Sequence, residues 1–339
     1  MSTPETSRSR SWFARKSAVE PPPFLPPIRP WAFRLTASLV VPALVLVLVE
    51  LGLRLFGWGY PTSFFTPARI QDRDVWVQND QFGARFFSAS MARSPSPLVM
   101  AGKKPPGTCR IFIFGESAAL GDPEPAFGFG RYLQVLLEER FPGQRFEVVC
   151  TAMTGINSHV ILPIARECGR HQGDIWVVYM GNNEFVGPFG ASTVFGPQAP
   201  PLALIRLNIA FKATRLGQWL THLASRGSHA APWGGMKMFL ENQIAPNDPR
   251  RQRVYDHFQR NLQDLLQAAR SAGAKVVLAT VAANLRECPP FASRHADLLG
   301  LDQVASWDLF FTQGKAAEAN GDTAQALTNY LAAVQVDPG

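Results

Sequence analysis

The feature that most constrains the fold is a regular alternation, over residues 109–280, of short apolar segments with longer segments of helical periodicity. The apolar segments are CRIFIF, RFEVVC, DIWVVYM and AKVVLATV, and the helical ones between them are GRYLQVLLEERF, HVILPIAREC and RVYDHFQRNLQDLLQAARSAG. Strands that are apolar on both faces and alternate with helices are typical of a parallel sheet covered by helices on both sides. The pattern therefore predicts an α/β domain of three layers, in which Gly273 ends the longest helix.

Polar residues follow the first three predicted strands, where the chain continues as GES, TAMTGINS and GNNE. Because the carboxyl ends of parallel strands meet at one edge of the sheet, these groups are expected to converge. Acyl transfer needs a nucleophilic hydroxyl, for which Ser117 is the candidate. It also needs donors for the developing oxyanion, for which the N–H groups of Ser117 and Gly155 and the Asn183 amide are candidates. A structural role is the alternative for each: a helix N-cap, a turn glycine and a strand-end cap.

The three blocks, in this order, resemble those of the SGNH/GDSL hydrolase family, and the resemblance covers about residues 109–290. It implies a flavodoxin-like fold and an esterase, lipase, thioesterase or glycan deacetylase activity. It also implies that Ser117 is the nucleophile and that Ser117, Gly155 and Asn183 form the oxyanion hole. Glu116 and Glu184 stand where the family has aspartate, so the charge is kept on a longer side chain. The charged groups beside the site, Glu116, Asp122 and Glu184, could either tune acidity or brace loops, and bracing is favoured.

The general base is the missing part of this resemblance. The family supplies it from a D-x-x-H block after the last strand. His295 is the best placed of the six histidines, but Ala292 stands three residues before it. We therefore expect the Asp/His pair beyond residue 339. His159 is predicted to be structural or to line the wall of the site. His171 is predicted to end the helix, where it interacts with the helix dipole or is simply exposed. The other histidines are predicted to lie at the surface: His222, His229 and His257.

An apolar run without charges extends from Leu35 to Val49, and Glu50 and Arg54 follow near its end. Extended to Phe56, the run is long enough to cross a bilayer once. Six Lys/Arg residues precede it and few follow closely. The positive-inside rule then predicts a single-pass anchor over 35–56 with a cytoplasmic N-terminus and an extracytoplasmic main domain. A cleaved signal peptide is the alternative, although the polar leader of 34 residues is long for one. That leader, residues 1–34, is basic and proline-rich and is predicted to be disordered.

The remaining segments complete the predicted domain organisation. Residues 57–108 show no sustained periodicity and are interpreted as an extracytoplasmic linker that packs on the hydrolase-like domain, 109–300. Residues 186–250 form an insertion with one helical stretch. The last segment, 306–339, matches one tetratricopeptide unit, an all-α hairpin. Seven positions carry the match: Trp307, Gly314, Gly321, Ala326, Tyr330, Ala333 and Pro338. One such unit cannot bury its own face, so further repeats are expected beyond the segment.

Charge and cysteine content exclude some functions. The net charge of +7 is spread along the chain and no nucleic-acid-binding motif is present, so no nucleic-acid partner is expected. The four cysteines show no C-x-x-C pairing, which argues against a zinc site. Core filling is favoured over a disulfide for Cys109 and Cys150.

The sequence thus predicts a membrane-anchored extracytoplasmic serine hydrolase acting on an ester substrate, with neither a metal nor an organic cofactor. By resemblance the substrates are acylated glycans or lipids. Two alternatives remain open. One is a catalytically incomplete scaffold whose tetratricopeptide repeats recruit a protein partner. The other is an O-acyltransferase that uses the same serine and oxyanion hole.

Overall fold

The computed structural model describes residues 30–88, 90–225, 233–284 and 294–337. The chain divides into two compact units, Met1–Leu51 and Gly52–Gly339. Most of the leader predicted to be disordered, residues 1–29, lies outside the described residues, as do Ala292 and Cys288. The helices and strands, in chain order, are α1 (Pro30–Leu55), β1 (Phe65–Ile70), β2 (Arg73–Gln78), β3 (Val99–Ala101), β4 (Thr108–Gly115), α2 (Ser117–Leu120), α3 (Phe129–Arg140), β5 (Arg145–Cys150), α4 (Ser158–Cys168), β6 (Ile175–Tyr179), α5 (Leu202–Lys212), α6 (Arg215–Ala224), α7 (Arg250–Ser271), β7 (Lys275–Leu278), α8 (Leu301–Ala319) and α9 (Thr323–Val336).

Helix α1 contains the apolar run. Its stretch Arg34–Leu55 has 22 residues, and an 18-residue window within it has a mean hydropathy of 2.2, which makes it long and apolar enough to cross a membrane. A signal sequence near an N-terminus has the same properties. The helix is therefore a candidate span.

The central sheet is parallel and has the strand order β5-β4-β6-β7. Successive side chains of β4 point to opposite faces, so Phe112 and Phe114 join one buried cluster and Ile113 joins another. Helices α4 and α7 cover the first face, and α3 packs on β5 at the other. This confirms the predicted parallel α/β sheet between helical layers. Helix α7 ends before Gly273, which has a φ of +73° as the sequence indicated.

Residues 57–108 form more structure than their sequence suggested. Strands β1, β2 and β3 make a small antiparallel sheet. Two backbone N–H groups just before and at the start of β1, those of Phe64 and Phe65, donate to the Glu167 carboxylate on α4 at 2.7 and 2.9 Å. Both phenylalanine rings are buried in the main core. The segment is therefore part of the folded unit.

A buried arginine joins this segment to the sheet. Arg110 on β4 is 1% exposed and pairs with Glu147 on β5 at 2.6 Å. Its two remaining nitrogens donate to the carbonyl oxygens of His171 and Ala101 at 2.6 and 2.9 Å. All three guanidinium nitrogens are thus satisfied, as a buried charge requires.

The insertion and the C-terminal segment are helical. The single helical stretch predicted in the insertion is two helices, α5 and α6, because Thr214 caps α6 by accepting a hydrogen bond from the Gly217 N–H at 2.9 Å. Helices α8 and α9 pack as a hairpin. In it Gly314 faces the Tyr330 ring so closely that an added Cβ would lie 2.6 Å from the ring.

The described cysteines, Cys109, Cys150 and Cys168, are free thiols. Cys168 is fully buried, and Cys109 and Cys150 are half-buried. Burial raises the pKa of all three thiols, which keeps them protonated. Cys168 and Cys150 pack in the hydrophobic clusters on the two faces of the sheet, whereas Cys109, for which core filling was also favoured, is in neither cluster.

Candidate active site

The carboxyl ends of β4 and β6 are joined by a buried carboxyl group. Glu116, directly after β4, accepts a hydrogen bond from the Gly181 N–H, which lies 3.0 and 3.2 Å from its two oxygens. The Glu116 side chain is fully buried. This contact fixes the loop after β6 against the start of α2.

Two further contacts join the loop after β6 to the loop after β5. The Asn183 Nδ2 donates to the Ile156 carbonyl oxygen at 3.1 Å. The Glu184 carboxylate accepts from both the N–H and the hydroxyl of Ser158, at 2.8 and 2.7 Å, and so caps the start of α4. All three predicted site segments are therefore linked at one edge of the sheet. The expectation that Glu116 and Glu184 brace loops agrees with these contacts.

Ser117 is the first residue of α2, a single turn closed by hydrogen bonds from the N–H groups of Gly121 and Asp122 to the Ser117 carbonyl oxygen. The residue is half-buried. Among the described residues its hydroxyl has no hydrogen-bond partner, and the N-cap position belongs to Glu116. The alternative role of Ser117 as a helix cap is therefore not realised.

Gly155 lies in the turn between β5 and α4 with a φ of +76°. This region of φ suits glycine, so the turn alone explains the residue type. An added Cβ would lie 3.8 Å from the Arg93 Nε. A side chain from the segment before the sheet therefore passes directly over this glycine.

The two bracing carboxyl groups have strongly perturbed acidity. Burial raises the pKa of Glu116 from 4.5 to about 8, against the opposing effect of the Gly181 hydrogen bond and with a smaller contribution from Glu184. Burial also raises the pKa of Glu184 to about 7. At neutral pH Glu116 thus holds its proton, so this carboxyl adds little negative charge beside Ser117 to oppose a developing oxyanion.

No described histidine forms a hydrogen bond with Ser117. His159 is buried on α4, with its Nδ1 3.0 Å from the Asn261 Nδ2, and burial lowers its pKa to about 3. His171 packs edge-on against Phe65 and Trp76. His257, expected at the surface, is buried against the His159 ring. His229 lies outside the described residues.

His295 has an acidic partner that the sequence did not reveal. Its Nδ1 lies 2.8 Å from the Asp337 Oδ2, across 42 residues of sequence. Trp307 packs edge-on against the His295 ring and donates to the Asp337 carbonyl oxygen at 3.1 Å. The His295–Asp337 pair joins the segment before α8 to the end of α9. It is not a D-x-x-H motif, because the two residues are 42 positions apart in the sequence.

The described residues contain no group of His, Cys, Asp and Glu side chains arranged to hold a metal ion. The cluster that the sequence missed is formed by Arg93 and Trp233, at 4.4 Å from the guanidinium carbon to the ring centroid. Only the folded chain brings Arg93 to Gly155 and Trp233 to Arg93, because the two residues come from the segment before the sheet and from the insertion.

Comparison with known proteins gave structural neighbours only. No family model and no curated protein matched the chain. Among solved structures, AlinE4, an SGNH-hydrolase family esterase, is 15% identical, with 64% of this chain and 98% of that chain covered at a TM-score of 0.26. A lipase/acylhydrolase from Enterococcus faecalis is 16% identical, with 50% and 75% covered at 0.25. An acetyl xylan esterase from Geobacillus stearothermophilus is 15% identical, with 52% and 77% covered at 0.24. At these identities and TM-scores the similarities carry no argument about function, which rests on the residues of the site.

Proposed function

We propose that this chain is a membrane-anchored serine hydrolase that acts on ester bonds, with Ser117 as its nucleophile. The observation that carries the proposal is the Ser117 hydroxyl. It is half-buried, has no hydrogen-bond partner among the described residues, and stands at the strand end that Glu116 fixes to the loop after β6. No hydrogen bond among the described residues gives this hydroxyl a structural role, and a nucleophile at the carboxyl end of a parallel strand is a role that fits it.

The proposed reaction has two steps. The Ser117 oxygen attacks the ester carbonyl carbon while its proton passes to a general base, and the alcohol leaves with a proton to form an acyl-serine. Water then attacks the acyl-serine, which releases the carboxylic acid and restores Ser117. In both steps the carbonyl oxygen becomes negative, and the N–H groups of Ser117 and Gly155 and the Asn183 amide stabilise it.

The bracing contacts preorganise these donors. Asn183 uses one of its two amide hydrogens on the Ile156 carbonyl, so the second remains to be directed at the substrate. Ile156 is also the residue after Gly155, so one contact fixes both donor loops. Preorganised donors of this type lower the barrier by about 3 kcal/mol each.

The general base is proposed to come from beyond residue 339, because no described histidine contacts Ser117. Helix α1 serves as the anchor, with the leader in the cytoplasm and the hydrolase-like unit outside it. The hairpin α8–α9 is proposed to be a tetratricopeptide unit that binds a protein partner. Acylated glycans or lipids are the proposed substrates, from the resemblance of the three sequence blocks alone.

Ester turnover by the full chain in detergent micelles tests the proposal. The protein is assayed with 4-nitrophenyl acetate, both as the 339-residue chain and continued to its natural stop codon. Ser117→Ala is expected to lower kcat/KM by about a thousandfold or more. The matched control Ser271→Ala, at the end of α7, is expected to leave turnover unchanged. Equal activity of the two variants contradicts the proposal.

One observation favours a second candidate function. Because no base contacts Ser117 among the described residues, a non-catalytic scaffold also fits the chain of 339 residues. Absence of turnover in both lengths of the chain, with the fold intact by circular dichroism, would support the scaffold.

A further inference from the structure

We propose that Arg93 and Trp233 form a subsite that binds an anionic oxygen group, a carboxylate or a phosphate, on the substrate beside Gly155. This inference rests on the proposed function, and it narrows the substrate to esters that carry a negative charge close to the scissile bond.

The position of Arg93 is the first argument. Its Nε and Cγ would lie 3.8 and 3.9 Å from a Cβ added to Gly155, so the side chain covers the proposed oxyanion glycine. The backbone of Arg93 is held there because the Arg93 carbonyl oxygen packs directly on Gly83. A Cβ added to Gly83 would collide with this oxygen. Ser94 also donates to the Asp80 carbonyl oxygen at 2.9 Å. The fold therefore fixes the position of the backbone at Arg93.

The second argument is how the guanidinium is held. Its central carbon lies 4.4 Å from the centroid of the Trp233 ring. Trp233 is in turn stacked on Phe195, with centroids 6.4 Å apart and planes 14° apart, and meets Phe239 edge-on at 6.1 Å. Phe195 packs edge-on against Phe87 at 4.9 Å. An arginine stacked on an aromatic face keeps all its N–H donors free in the plane of the guanidinium.

The third argument is that these donors have no protein partner. Among the described residues Arg93 forms neither an ion pair nor a hydrogen bond, and its Nε is buried and unsatisfied. A buried donor without a partner is destabilising, so such groups in native proteins generally have a task. Arg110 is the contrast within this chain, since all of its nitrogens are bonded.

The chemistry of the group selects the ligand. A guanidinium offers paired parallel N–H donors that match the two oxygens of a carboxylate or a phosphate. The charge also lies beside the proposed oxyanion hole, while the nearby Glu116 is kept protonated by its raised pKa. An anionic substrate would therefore meet the Arg93 cation without repulsion from the Glu116 carboxyl.

The experiment compares two esters, 4-nitrophenyl hydrogen glutarate, which is an anion at neutral pH, and its methyl ester, which is neutral and larger by one methyl group. They are tested on the full chain continued to its stop codon, in detergent micelles. Arg93→Met, which removes the charge and keeps the length, is expected to lower kcat/KM for the anionic ester by between about tenfold and about a hundredfold, the loss expected for a hydrogen bond to a charged group. The neutral ester is expected to change by less than about threefold. Arg93→Lys is expected to restore only part of the selectivity, because a lysine lacks the paired donors.

The control variant is Arg69→Met, which removes an exposed arginine of β1 and is expected to change neither ester. Equal losses for both esters in Arg93→Met would assign Arg93 a structural role and overturn the proposal. Equal rates in the parent and in Arg93→Met would overturn it as well.

A binding experiment distinguishes a failure of the anion-subsite proposal from a failure of the proposed hydrolase function. Glutarate and inorganic phosphate are titrated separately into the Ser117→Ala variant, and binding is followed by calorimetry. Binding that Arg93→Met abolishes, without any ester turnover in the parent, would refute the hydrolase and retain the anion subsite. Turnover without charge selectivity and without binding would refute the subsite and retain the hydrolase. The stronger of the two ligands identifies the group as a carboxylate or a phosphate.

Discussion

Replacement of Glu116 by glutamine tests the electrostatics of the site. The buried carboxyl has a pKa of about 8 in the folded chain, against 4.5 when it is free in water. A group whose pKa is raised by folding stabilises the protein fully below its unfolded pKa and loses that contribution as the pH rises through its folded pKa. The parent is therefore expected to lose stability between pH 4.5 and about pH 8 on account of Glu116. The Glu116→Gln variant has no ionisable group at this position, so its stability should not show this pH-dependent loss.

The size of the effect follows from the two pKa values. Between about pH 6 and about pH 8.5, linkage gives a loss of about 2 kcal/mol for a carboxyl with a pKa of about 8 in the folded chain. The glutamine oxygen still accepts the Gly181 N–H, so the brace is kept and the variant differs mainly in its titration. His159 titrates in both the parent and the variant, so its contribution to the pH dependence of stability cancels when the two are compared.

The assay is urea unfolding of the full chain in detergent micelles, followed by tryptophan fluorescence at both pH values. The free energy of unfolding of Glu116→Gln, relative to the parent, is expected to rise by about 2 kcal/mol from the lower to the higher pH. Glu139→Gln, on the exposed face of α3, serves as the control and should show no such trend. A difference that stays constant with pH would refute a raised pKa for Glu116. A difference that falls with pH would mean that the ionised carboxylate stabilises the fold.

Three further substitutions test other parts of the structure. Asn183→Ala is expected to lower kcat for ester hydrolysis between about a hundredfold and about a thousandfold with little change in KM, as measured by steady-state kinetics, because its amide acts on the oxyanion. A loss confined to KM would contradict this role. Gly314→Leu is expected to destabilise the α8–α9 hairpin by about 1–3 kcal/mol, since the new side chain meets the Tyr330 ring, and hydrogen exchange of both helices would detect it. Unchanged protection would mean that the helices do not pack as described. Arg110→Met is expected to cost about 3–5 kcal/mol in urea unfolding, because it leaves Glu147 half-buried without its partner. A cost below about 1 kcal/mol would show that this pair does not hold the strands together.

The parallel sheet was predictable from the sequence because its strands are apolar on both faces. CRIFIF and DIWVVYM pair as β4 and β6 with the expected direction. The apolar N-terminal helix was predictable for a similar reason, since length and composition alone define a candidate span. These signals are local, and each can be recognised within one segment.

The small antiparallel sheet was missed because its strands are short and mixed in polarity. Segments such as FTPARI and RDVWVQ form β1 and β2 only by pairing with each other, and their burial depends on Glu167 and the core of another segment. The partner of His295 was missed because Asp337 lies at the end of α9 and not three residues away. Both the small antiparallel sheet and the His295–Asp337 contact depend on tertiary packing, which sequence periodicity does not encode.

The positions of the candidate site residues at strand ends were predictable from the sequence, but the contacts that hold and surround these residues were not. The sequence pointed to Ser117, Gly155 and Asn183 through their positions after three strands. That Asn183 donates to Ile156, or that Arg93 covers Gly155, depends on loop geometry. The roles of Ser117, Gly155 and Asn183 stay predictions.

Covalent labelling of Ser117 tests the central claim most directly. The full chain, ending at residue 339 or continued to its stop codon, is treated with a fluorophosphonate probe, and the modified peptide is identified by mass spectrometry. The account predicts that the continued chain is labelled at Ser117 and that Ser117→Ala is not labelled. Labelling of the 339-residue chain as well would place the base within it, with His295 as the first candidate. Absence of labelling in both chains, or equal labelling of Ser117→Ala, would contradict a nucleophilic Ser117.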